Sequence, residues 1–148
     1  MQPAPIAAER LTAEDYRALP GGGPRYQLID GELHMAPAPG SYHQEIAWNL
    51  TQIFGAYLRV QPIGRAYFAP CDVYLSEHDV VQPDLLYFTK ARQHIRKDDG
   101  IHGAPELVIE ILSPSTALLD TKTKRAIYAR SGVKELWIID PSLRQIHL

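Results

Sequence analysis

Cysteine is nearly missing from this chain: Cys71 is the single one in 148 residues, so no intramolecular disulfide can form. The Cys and His residues show no spacing that resembles a zinc site. Long hydrophobic runs are missing too, since nowhere do about 18 apolar residues follow one another, as a membrane-crossing helix requires. The opening MQPAPIAAERL lacks the basic stretch followed by an apolar core that marks a secretory leader. A reducing, cytoplasmic setting is therefore expected. Excess charge of one sign is also absent. The formal net charge of -2 excludes a broadly basic surface for nucleic acid and leaves room only for a focused contact. No repeat or low-complexity segment occurs. What is present is 45% hydrophobic and 22% charged, an ordinary globular balance in one domain's length of chain.

Thr12 and Asp15 predict a short capped helix running to Leu19, ended by PGGGP at 20–24. In YQLIDGELHMAP, Asp30 and Gly31 between alternating stretches predict a hairpin of strands over 26–29 and 32–36. From Ser41, the residues Ile46, Leu50, Ile53, Phe54 and Tyr57 recur at helical spacing and predict an amphipathic helix to about residue 58. GRAYFAP, CDVYLSE and PDLLYFT then read as successive strands, which implies antiparallel pairing among them. KARQHIRKDDG is basic and poorly periodic, a helical turn or loop. After the strand in PELVIEIL, a helix is expected over 116–130, with Leu119, Ala126, Ile127 and Arg130 on one face and Gly132 as its stop. KELWIID is another buried strand, and the βαβ form of this connection makes the two strands parallel. RQIHL reads as a strand stopping in mid-course, which suggests that the natural chain continues. The expected class is α/β, with a mixed central β-sheet flanked by helices in a single domain.

Glu110 is out of place in PELVIEILSPS. Leu107, Ile109 and Ile111 share one face of that strand and Val108, Glu110 and Leu112 the other, so both faces are apolar. An unpaired carboxylate there would cost roughly several kcal/mol. Asp84, directly after Pro83 at the head of an apolar strand, is a second oddly placed acid. Carboxylates on neighbouring strands can share a divalent cation. The plainer accounts are a strand-start residue for Asp84 and a salt bridge to a core-lining Lys or Arg for Glu110. Lys124 is a candidate cation, because Asp120, Lys124 and Tyr128 form an i, i+4, i+8 stripe that could face the strand end. An exposed Asp120–Lys124 pair, contributing a few tenths of a kcal/mol, explains the same spacing. Lys122 falls off the stripe. Glu32 is either a site acid or a hairpin residue, and His43 either a site residue or a helix-start decoration. Lys90, Arg92, Arg96 and Lys97 could touch phosphates, but Asp98 and Asp99 follow at once and favour a solvated face.

In this order, YQLIDGEL, HQEIAWNL, VVQPDLLYF, PELVIEILSPST and DTKTKRAIYARSGVKELWIID resemble the Uma-type restriction endonuclease family. Its members are assigned, mostly by fold and motif, to the PD-(D/E)XK nuclease superfamily. The resemblance spans about 26–140. It implies a restriction endonuclease-like core, an Mg²⁺ cofactor that Mn²⁺ can replace, and hydrolysis of phosphodiester bonds in DNA. By it, Asp84 is the PD aspartate, Glu110 the acid of the second motif and Glu32 an acid from the N-terminal element, all metal ligands. The superfamily's lysine two residues after the second acid is here Leu112. The Uma-type pattern instead has a lysine on the following helix, which Lys124 matches, and His43 matches a family histidine of accessory rank. The family usually continues past WIID with a further strand and a C-terminal segment that this chain is expected to lack, and the short sheet edge this leaves, with the need to cut two DNA strands, implies a homodimer. Two functions follow: an Mg²⁺-dependent endonuclease, favoured by the acids and lysine, or an inactive nuclease-fold binding or regulatory module, favoured by the weak charge.

Overall fold

Thr12 opens the first helix, α1 (Ala13–Arg17), through a reciprocal cap: its hydroxyl accepts the Asp15 N–H while the Asp15 carboxylate accepts the Thr12 N–H. The structure, a computed structural model, describes residues 9–36, 38–114 and 119–148. Strands β1 (Arg25–Ile29) and β2 (Glu32–Ala36) form the expected hairpin, closed by Asp30 and Gly31 at φ of 51° and 82°. That is the primed turn for which Asp-Gly is suited.

Helix α2 (Ser41–Val60) lays Ile46, Leu50 and Phe54 on Leu85, Ile109 and Ile111. Ile53 and Tyr57, expected on the same face, are 64% and 57% exposed. The contact stripe is centred between Leu50 and Ala47, which leaves Ile53 at its margin and Tyr57 in the last turns.

The successive strands do not pair with one another as expected. β3 (Gly64–Phe68) and β6 (Leu85–Thr89) are antiparallel neighbours in one sheet. Between them, β4 (Val73–Ser76) and β5 (Asp79–Val81) form an antiparallel pair in another. Pro70 lies at the break, where it has no N–H to extend a ladder. In place of one central sheet there are two, six-stranded and five-stranded. The basic segment becomes a 3-10 turn, Lys90–Ile95, followed by a small hairpin of β7 (Arg96–Lys97) and β8 (Gly100–His102) on the six-stranded sheet.

The five-stranded sheet runs β11-β10-β9-β6-β3. In it β9 (Leu107–Ile111) and β10 (Glu135–Asp140) are parallel, as their connection requires, and β11 (Gln145–His147) adds antiparallel to β10. One face lies under α2. The other packs Leu86, Phe88 and Val108 against Val73, Val81 and Ile101 of the second sheet and against Ile127 and Tyr128 of α3 (Arg125–Ser131). A π-helical turn, Leu119–Lys124, leads into α3, and Gly132 ends it at φ 92°. The expected helix start at 116–118 lies outside the described residues. The inner face of α3 also differs from expectation: Lys124, Ile127 and Tyr128 are buried, whereas Ala126 and Arg130 are exposed. Arg130 instead pairs with Asp79 on β5 at 2.7 Å. No helix among the described residues is long and apolar enough to cross a membrane.

Candidate active site

Strands β6 and β9 are antiparallel with Leu85 opposite Ile109, so one step further along the ladder brings Asp84 opposite Glu110. Antiparallel partners project to the same side of a sheet. Both residues line a single cavity of about 830 Å³ between the strand ends, the start of α2 and the open end of the first hairpin. Asp84 is fixed by backbone and side chain together. Its Oδ2 accepts the Ile111 N–H at 2.7 Å, and its carbonyl accepts the Ala69 N–H at 3.1 Å.

Glu110 has the partner that its burial demands. Glu110 is 2% exposed, and its Oε1 accepts hydrogen bonds from Lys124 Nζ at 2.7 Å and from the Tyr128 hydroxyl at 2.5 Å. Lys124, at 1% exposure, is among the largest fully buried side chains. It is therefore no surface lysine, and Lys122 beside it is exposed. The π-helical turn sets the angle at which Lys124 and, one helical turn later, Tyr128 meet Glu110; such turns recur at functional sites.

His43, in the first turn of α2, places Nε2 3.2 Å from Asp84 Oδ1. The hydrogen bond to Asp84 raises the imidazole pKa, outweighing partial burial, which acts in the opposite direction. Its Nδ1 is buried with no hydrogen-bond partner among the described residues.

Glu32 is not brought to this cavity. The β1–β2 register puts it opposite Ile29 at the turn end of the hairpin, whereas Arg25, Gln27, Met35 and Ala36 at the other end line the cavity. Its side chain is 81% exposed, with His34 at 3.9 Å. Nor do the basic residues of 90–97 line it: Arg92 lies 3.8 Å from Glu106, and Arg96 bonds the Tyr67 hydroxyl. No group of three His, Cys, Asp or Glu side chains able to hold a metal occurs among the described residues. The Asp84 and Glu110 oxygens are hard donors, suited to Mg²⁺ or Mn²⁺, which keep several waters and need only one or two carboxylates. This donor set fits such an ion and does not make a zinc cage.

Trp48, Phe68, Gln27 and Gln82 also line the cavity and were not singled out from the sequence. One signal was available for Trp48. Gly40, His43, Gln44, Ala47, Trp48 and Thr51 follow i, i+3, i+4, i+7 spacing, so the residues flanking His43 on its helical face were predictable.

The mixed α/β fold thus brings an acid pair together at one end of two adjacent core strands, one acid carrying a buried lysine. The family model of Uma2, described as "Putative restriction endonuclease", matches residues 13–148, and the chain belongs to that family. A solved structure described as a "putative nuclease belonging to DUF820 from Anabaena variabilis ATCC 29413" is similar at TM-score 0.76 and 24% identity, covering 89% of this chain and 75% of that one. At that identity the likeness concerns the fold. No curated protein matches the chain.

Proposed function

We propose that this protein is a divalent-cation-dependent endonuclease that hydrolyses phosphodiester bonds of DNA, with Asp84 and Glu110 as the ligands of Mg²⁺ or Mn²⁺. The observation that carries this reading is the pair of opposed carboxylates sharing one cavity, with a buried lysine against the second. A bound cation would supply Lewis-acid stabilisation of the negative charge on the phosphate. The chain's own residues do the rest. Ile111 N–H and His43 hold the Asp84 carboxylate, and Lys124 and Tyr128 hold that of Glu110. Lys124, in addition to pairing with Glu110, would contribute positive charge beside a bound phosphate, a preorganised electrostatic contribution.

One observation favours the non-catalytic alternative. Glu110 Oε1 already carries two donors, as in a purely structural ion pair. Incubation with supercoiled, linear and single-stranded DNA and with RNA, each with Mg²⁺, Mn²⁺ or chelator, separates the two. The endonuclease reading expects cation-dependent cleavage of DNA that chelator abolishes. Binding without cleavage under every condition would instead support the inactive module.

A further inference from the structure

The acid pair lies in a cavity whose rim is unexpectedly apolar. Trp48 on α2 is 62% exposed, Phe68 at the end of β3 is 55% exposed, and Met35 on β2 is 63% exposed, all lining the cavity that holds Asp84 and Glu110. Register explains the position of Phe68. It sits opposite Leu85, next to Asp84, and so shares the α2-facing side of the sheet. Trp48 lies one helical turn beyond Gln44 and five residues beyond His43, on the helix flank turned to the same cavity. Two aromatic faces therefore stand on separate walls beside the carboxylates.

Charge argues against a duplex grip. Among the described residues that line the cavity, Arg25 and Lys124 are the only Lys or Arg, and Lys124 is committed to Glu110. A duplex-binding protein draws most of its affinity from several phosphate contacts. Aromatic stacking adds about 1 to 3 kcal/mol per base, because every base has a π-face, but only where the base is unpaired, so a single strand can be held with fewer phosphate contacts than a duplex.

We propose that Trp48 and Phe68 form a stacking platform for an unpaired base, so that the substrate at this site is single-stranded DNA. The proposal rests on the nuclease reading for its site and goes beyond it in substrate form. The test is binding measured in chelator, where no cleavage intervenes. In a Trp137→Phe background Trp48 is the sole indole, and its fluorescence should be quenched by a single-stranded oligonucleotide and not by the duplex of the same sequence. Trp48→Ala and Phe68→Ala should each weaken single-strand affinity about fivefold or more. Both residues are exposed, so melting curves should match the parent protein. Unchanged single-strand affinity in both variants would overturn the proposal, as would equally tight duplex binding. A rim that serves as a contact between copies would show itself differently: Trp48→Ala would shift the sedimentation coefficient and leave DNA affinity untouched, which also overturns it. Single-strand binding lost in these variants, in a protein that never cleaves, would leave the platform standing and remove the nuclease. Cleavage indifferent to Trp48 and Phe68 would do the reverse.

Discussion

Lys124 Nζ and Glu110 Oε1 are 2.7 Å apart with side chains 2% and 3% exposed, so neither charge has bulk water to fall back on. Removing one partner strands the other, a loss of about 3 to 5 kcal/mol, whereas replacing both with groups of similar shape is far milder. Lys124→Met should therefore lower the urea midpoint sharply, and adding Glu110→Gln should restore much of the loss. Lys122→Ala, at an exposed position, should stay within about 0.5 kcal/mol of the parent. Additive losses in the double variant would show that the two side chains do not interact. At this scale the sequence was informative in part: one acid in a strand apolar on both faces required a partner, and the stripe that includes Lys124 and Tyr128 offered one, although the same spacing fitted an exposed Asp120–Lys124 pair equally well. What it concealed was the rotation of α3. Ala126 and Arg130 look inward-facing only if Lys124 is counted as polar and outward, whereas the ion pair draws Lys124 in and turns them out.

Between elements, Asp79 of β5 ties the six-stranded sheet to α3. Burial pushes its carboxyl pKa up, but Arg130, the Asp30 N–H and the Ser76 hydroxyl outweigh that and hold it below the ordinary value. A depressed folded pKa gives stability that is present above the unfolded value of about 3.9 and lost as pH falls through the folded value. Asp79→Asn should cost roughly 1 to 3 kcal/mol at pH 7. Its deficit in urea midpoint should shrink below about pH 4 as the parent's own carboxyl takes up a proton. A deficit equal at pH 7 and pH 3 would contradict this account. Gly64 carries a second test. A Cβ there would lie 2.7 Å from the Tyr87 ring and also against the Phe88 carbonyl, so Gly64→Ala should push β3 off β6 and lower Tm, by about 1 to 3 kcal/mol in stability. An unchanged Tm would mean that the edge strand yields freely. The hairpin, α2 and the parallel β9–β10 pair were legible because each depends on local pattern. The division of the strands into two sheets was not, because pairing partners are set by packing across Ile29, Val73 and Val81, which no local pattern records.

Over the whole molecule, the two sheets and α3 close one core while α2 covers the opposite face of the five-stranded sheet, and the candidate site opens where these layers meet. That placement explains why Asp84, Glu110 and Lys124 converge from distant parts of the chain while Glu32 stays at the far end of its hairpin. The expectation of a dimer rested partly on a double-strand cut, and a single-stranded substrate does not require it. Asp84 is the acid whose loss tests the central claim with least damage to the core, since its side chain is 16% exposed and bonded at the cavity wall. The decisive measurement is the rate of single-stranded DNA cleavage by Asp84→Asn against the parent protein in Mn²⁺, both verified as folded. The account predicts cleavage by the parent, none in chelator, and loss of about a hundredfold or more in the variant, the scale on which removing one preorganised electrostatic group acts. Equal rates in the two proteins, or cleavage that persists in chelator, would contradict it.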